Sequence, residues 1–166
     1  GIASGEFDII VDVAPDQIDI FKRYDDIDVR STVLENSQTV VFNMQAPSLA
    51  DKRLRQALSL AIDRKALRDS LWKGLNFTTN GYQMKSYGPL YDAKREGYAY
   101  DPDKARALVK ASGYDGTPIS FRAIPNYYLN GVEAAQVMLE MWKAVGINVK
   151  LDLVDSFKQV RAKGME

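Results

Sequence analysis

Two pairs of carboxylates are placed where acid–base work could be done: Asp25-Asp26, side by side, and Asp101 with Asp103, two residues apart. A catalytic pair needs surroundings that push one pKa upward, through burial or a close like charge, so that one carboxyl holds a proton near neutral pH. Neither pair has a neighbour that would do this. Asp25-Asp26 lies in a polar, turn-like stretch, and Asp101 followed by Pro102 reads as a helix N-cap with proline at the first helical position. The chain has no His and no Cys. Their absence removes the usual general base at neutral pH, the thiolate nucleophile, and the imidazole and thiolate metal ligands. There is no Gly-rich phosphate loop. An α/β enzyme working through Tyr, Lys and carboxylates is therefore the second reading, and no catalytic residue, metal site or cofactor is expected.

Residues suited to binding are easier to find. Asn126-Tyr127-Tyr128-Leu129-Asn130 joins aromatic faces to amide groups, a combination that suits a small polar or peptide-like solute. The run sits between an alternating segment ending at Ile124 and a helical one after Gly131. A loop from a strand end to a helix N-terminus is a common ligand position in α/β proteins. Asn126, Tyr127, Tyr128 and Asn130 are thus the candidate ligand contacts. Tyr87 is a fifth, from the aperiodic stretch 75–100, which carries tyrosines at 82, 87, 91, 98 and 100. A loop of that length is usually functional or tightly packed.

The elements that must hold these residues follow from periodicity. Phe7 to Val13 is apolar and β-branched, bounded by Gly5 and Pro15, and predicts a buried strand. Asp16 is the expected N-cap of a short helix through Phe21. Ile27 to Leu34 and Thr39 to Met44 predict an antiparallel pair joined through Glu35-Asn36-Ser37. Asp51 opens a helix whose Leu54, Ala57, Leu58, Ala61 and Ile62 share one face. Asp63 starts another, carrying Ala66, Leu67 and Leu71 and ending at Gly74. Asp101 starts a third, with Ala105, Leu108 and Val109 apolar and Gly113 at its end. Thr117 to Ile124 predicts a strand, Gly131 to Val145 a long helix burying Trp142, and Ile147 to Leu153 a strand before a helical tail from Ser156. Strands and helices in this order predict an α/β fold, a mixed sheet flanked by helices.

The chain's 166 residues suit one domain, with 46% hydrophobic and 27% charged residues. Lys plus Arg and Asp plus Glu are both 22, giving zero formal charge. Phosphate backbones need a clustered positive excess, so no nucleic-acid partner is expected. No apolar run approaches the roughly 20 residues of a membrane span, so no membrane insertion is expected. The lack of Cys fits an oxidising compartment. The ends, Gly1-Ile2-Ala3-Ser4 before a strand-like run and Gly164-Met165-Glu166 just after a helix begins, do not read as natural domain boundaries.

Four stretches together resemble the peptide-class extracytoplasmic solute-binding proteins of ABC importers, with their dipeptide, oligopeptide and nickel members. They are Ser4-Gly5-Glu6-Phe7-Asp8-Ile9; Phe42-Asn43 with Pro47, Asp51, Arg55-Gln56-Ala57-Leu58 and Ala61-Ile62-Asp63-Arg64; Tyr100-Asp101-Pro102-Asp103-Lys104-Ala105 through Gly113-Tyr114; and Trp142-Lys143-Ala144-Val145-Gly146-Ile147. The resemblance implies a two-lobed periplasmic-binding-protein fold, of which residues 1–166 are a single partial domain, roughly the first two-thirds of lobe II. Lobe I and the end of lobe II would lie outside the chain. It also implies a periplasmic or extracytoplasmic location, a peptide or similar small solute as ligand, and an ABC permease as the partner of the whole protein. A sensor module reusing the scaffold is a further alternative. Dipeptide-binding members hold the ligand carboxylate with an Arg in the loop matching 126–130, and this chain has none there.

Overall fold

The computed structural model describes residues 1–161 apart from Val33, Asn80, Tyr82 and Glu96. Tyr82 of the tyrosine-rich stretch and the chain end at Gly164-Met165-Glu166 thus lie outside the described residues. The helices form where local signals are complete. The helix α1 spans Ile18–Phe21, α2 Lys52–Leu60, α3 Arg64–Trp72, α4 Pro102–Ser112, α5 Gly131–Ala144 and α6 Phe157–Val160. Asp51 accepts from the Arg53 amide, Asp63 from Ala66 and Asp101 from Lys104, so each of these three expected caps satisfies an orphan donor. Gly113 ends α4 at φ 72°, a left-handed position where a side chain would be strained.

The strands β1 (Ile119–Ala123) and β2 (Val149–Leu153) pair in parallel, Phe121 facing Leu151 in register. The chain crosses between them through α5, as a parallel pair requires. Ile119 and Phe121 turn to the helices, and Phe121 meets Trp142 edge-on, ring centroids 5.4 Å apart. Leu54, Ala57, Leu58, Ala61 and Ile62 are all buried, as the spacing predicted, and pack with Ala105 of α4 and Ala134, Trp142 and Val145 around α5. Leu67 is buried and Leu71 packs beside it, whereas Ala66 is exposed.

The end of α2 is held by tertiary partners. Its last four carbonyls have no helical continuation except Ala57 O, which takes the Ala61 amide at 3.0 Å. Leu58 O accepts from Trp142 Nε1 at 2.8 Å, Ser59 O from Arg64 Nη1 at 3.1 Å, and Leu60 O from the Asp101 amide at 2.9 Å. Arg64 also donates to Ile62 O and Tyr98 O, and burial draws its pKa downward.

Three expected strands are not formed among the described residues. Phe7 to Val13 is irregular and exposed, with Ile9 at 81%, and Asp12 has φ 55°. The described residues of Ile27 to Leu34, which exclude Val33, and those of Thr39 to Met44 run without a ladder, and Val41 is 81% exposed. A strand is completed by a neighbour that accepts its backbone hydrogen bonds, and no described segment supplies one. The described sheet is two parallel strands with helices packed against it, the α/β layering that the element order predicts, and no antiparallel strand joins it among the described residues. Asp16 does not cap α1 either. The turn starts earlier, with the Gln17 amide bonded to Ala14 O, and Gln17 occupies the cap position without a side-chain bond.

Candidate functional site

The loop 125–130 leaves β1 at its carboxyl end and enters α5. Asn126 and Asn130 both adopt left-handed backbone, φ 57° and 56°, which Asn tolerates better than most side chains. The Gly131 amide closes a turn onto Tyr128 O at 3.0 Å, and Asn130 O accepts the first α5 bond, from Ala134. A Cβ on Gly131 would stand 3.3 Å from Tyr128 Cβ, so the glycine lets the tyrosine lie close to the helix start. Asn130 Nδ2 donates to Leu71 O at 2.6 Å and ties the loop to the end of α3. Gln38 Nε2 reaches Leu129 O at 3.4 Å from the extended segment.

Tyr127 and Tyr128 are half exposed and meet edge-on at 4.5 Å. Tyr127 also meets Phe157, 4.9 Å away at 88°. The three rings form a patch across the carboxyl ends of both strands. Phe157 reaches it because β2 runs straight into α6. The Val154 amide bonds to Ala123 O, extending the ladder, and Ser156 caps α6 by accepting from Gln159. Burial and the neighbouring Tyr127 push the Tyr128 hydroxyl above its ordinary pKa. Arg122, near the end of β1, donates to the Gln159 and Val160 carbonyls at 3.3 and 3.1 Å and pins α6 to the sheet.

The structure thus brings Asn126, Tyr127, Tyr128 and Asn130 into one loop but gives them different surroundings. The Asn130 amide donor is committed to α3, and the tyrosines face outward. Tyr87 lies elsewhere, exposed on a 3-10 turn at Lys85–Leu90, and makes no hydrogen bond or ring contact with the loop among the described residues. Sequence reasoning missed Phe157. Its only local signal was a position just inside the helical tail after Ser156, and its contact with Tyr127 lies 30 residues away.

A separate cleft of about 350 Å³ opens beside the start of α3, lined by Asp63, Arg64, Thr78, Thr79, Tyr98 and Tyr100 among others. Its cations are already engaged, Arg64 with backbone carbonyls and Lys65 with Asp69. Among the described residues no cluster of acidic side chains could hold a metal ion. No helix among the described residues is long and apolar enough to cross a membrane.

Residues 2–165 match the family model of the bacterial extracellular solute-binding proteins, family 5, middle region. The chain is 28% identical to di/tripeptide-binding protein 1 of Pseudomonas aeruginosa, over 99% of this chain and 32% of that protein. It is 34% identical to a putative ABC transporter peptide-binding protein of Brucella ovis, over 75% of this chain and 24% of the relative. It therefore spans about a third or less of the curated relatives it matches. Two solved structures share its fold. NikZ from Campylobacter jejuni in complex with Ni(L-His) superposes with a TM-score of 0.75 at 21% identity, over 87% of this chain and 31% of that one. A Pseudoalteromonas dipeptide binding protein in complex with Met-Leu gives 0.72 at 24% identity, over 93% and 31%. The capped helices, the crossover through α5 and the match along nearly the whole chain have one reading: the chain belongs to family 5 of the bacterial extracellular solute-binding proteins.

Proposed function

We propose that residues 1–166 form part of the second lobe of a two-lobed binding protein. That protein captures a peptide or similar small polar solute outside the cytoplasm and delivers it to an ABC permease. The family match over residues 2–165 carries this reading. Relatives named for dipeptides, di/tripeptides and peptides support the choice of solute. The exposed apolar side chains of Phe7, Ile9, Val11, Leu34, Val41 and Met44 support a larger whole, because a contiguous partner would bury them. Within the chain, the 126–130 loop is the solute-facing site. It lies at the carboxyl ends of parallel strands, where open α/β sheets take ligands. Binding is non-covalent, its specificity set by both lobes as they close, and the chain performs no catalysis.

Isothermal titration calorimetry tests the reading. The full-length protein binds at least one di- or tripeptide of a mixed panel, and the isolated 166-residue chain binds the same peptide at least a hundredfold more weakly. Equal affinity of the isolated chain would refute the shared-cleft arrangement, and no peptide binding by the full-length protein would refute the solute class.

A further inference from the structure

We propose that Phe157 is a specificity-determining residue, and that Tyr127, Tyr128 and Phe157 form one subsite for an apolar or aromatic side chain of the solute. The inference rests on the reading of the 126–130 loop as the solute-facing site, and it names what that site recognises. Each ring is about half exposed: 51% for Tyr127, 49% for Tyr128 and 46% for Phe157. Tyr127 stands between the other two in edge-to-face contact, so the patch is a fixed surface rather than three independent side chains. Phe157 is held from behind. Arg122 donates to two carbonyls at the end of α6, Ser156 caps its start, and Gln159 Oε1 accepts from the Asp155 amide at 2.7 Å. A helix of four residues has little stability alone, and these bonds keep it against the sheet end.

The chemistry of the surroundings selects the ligand group. No Lys or Arg lies among residues 123–131, and Arg122 turns toward the α6 carbonyls. On the loop side the patch therefore offers ring faces and phenol edges instead of a carboxylate clamp, and its neighbouring cations in sequence are Lys158 and Arg161 on the α6 side. Such a surface rewards apolar area and stacking, and it distinguishes peptides by side chain more than by terminus.

The test uses the full-length protein and calorimetry with Ala-Ala, Ala-Leu, Ala-Phe and Phe-Ala. The expected result for the wild type is tighter binding of at least one Leu- or Phe-containing dipeptide than of Ala-Ala. Phe157→Ala then lowers affinity for that dipeptide about 2- to 12-fold, the range of one aromatic contact, and leaves Ala-Ala within twofold. Phe157→Leu, which keeps α6 packed, restores part of the discrimination and guards against simple unfolding of the tail. Equal loss for all four peptides would mean that the patch packs against the rest of the protein, which overturns the subsite. No loss for any of them also overturns it while leaving the peptide-binding reading intact. Failure of the wild type to bind any of the four would bring down the subsite, and failure across the mixed di- and tripeptide panel would bring down both.

Discussion

Replacing Trp142 by Phe isolates one bond that closes the core. The indole is 2% exposed, and its Nε1 donates to Leu58 O at 2.8 Å. Leu58 O lies in the last turn of α2, so phenylalanine leaves a buried carbonyl without a donor. That costs about 1–3 kcal/mol. The smaller ring also vacates roughly 30–40 Å³, adding about 1 kcal/mol if the core does not collapse. The edge contact with Phe121 can persist, since a phenyl ring offers the same face and edge. The expected loss is therefore about 2–4 kcal/mol, read from the urea midpoint by far-UV circular dichroism. Trp72 serves as the comparison. It packs at the edge of the core and its indole N–H makes no hydrogen bond among the described residues, so Trp72→Phe costs less than about 1 kcal/mol. Equal costs for the two substitutions would refute the claim that the indole N–H holds the end of α2.

Two further predictions concern acid stability and the loop. The Arg53 guanidinium, and after it the Arg53 backbone amide, hold Asp51 at a pKa of about 2. The folded value lies below the unfolded one, near 4, so its contribution is complete above pH 4 and is lost as pH falls toward 2. Asp51→Asn keeps the cap acceptor and removes the titration. The variant therefore loses the ion pair's contribution at neutral pH, and its stability should change less between pH 4 and 2 than that of the wild type; an unchanged slope would count against the pair. Gly131→Ala puts a Cβ 3.3 Å from Tyr128 Cβ and shifts that ring. Peptide affinity of the full-length protein should drop severalfold with stability changed by less than about 1 kcal/mol, measured by calorimetry and thermal unfolding. Unchanged affinity would show that Tyr128 does not touch the solute.

How much was legible in advance follows from where each signal resides. Helix starts are local. Asp51, Asp63, Asp101 and Ser156 each accept from an amide within three residues, so a short window of sequence contains the whole cause. Strands are not local. Val149 to Leu153 and Phe7 to Val13 alternate or cluster apolar residues alike, but only the former meets a ladder, on β1 across the α5 crossover. The same division applies to the site. Tyr127 and Tyr128 announced themselves as aromatic residues at a strand end. Phe157 could be placed beside them only once β1 and β2 were known to pair in parallel, which sends both carboxyl ends to one edge.

The stretches that carry the family resemblance converge on one structural problem. A nine-residue helix ending inside a core leaves carbonyls that water cannot reach. Arg64 of the Ala-Ile-Asp-Arg run satisfies Ser59 O, the amide of Asp101 in the Tyr-Asp-Pro run satisfies Leu60 O, and Trp142 of the helix-to-strand junction satisfies Leu58 O. Donors 5, 41 and 84 positions from their acceptors thus serve one helix end, and losing the Arg64 or Trp142 side chain, or placing proline at 101, leaves a polar atom stranded there. None of these groups lies in the aromatic patch. The residues proposed to face the solute at the strand ends can change without disturbing the α2 terminus, which depends on the Arg64 and Trp142 side chains. A loop with Tyr127 and Tyr128 where dipeptide-binding members have an Arg is thus compatible with an intact scaffold, and the ligand chemistry must be read from the loop rather than from the motifs.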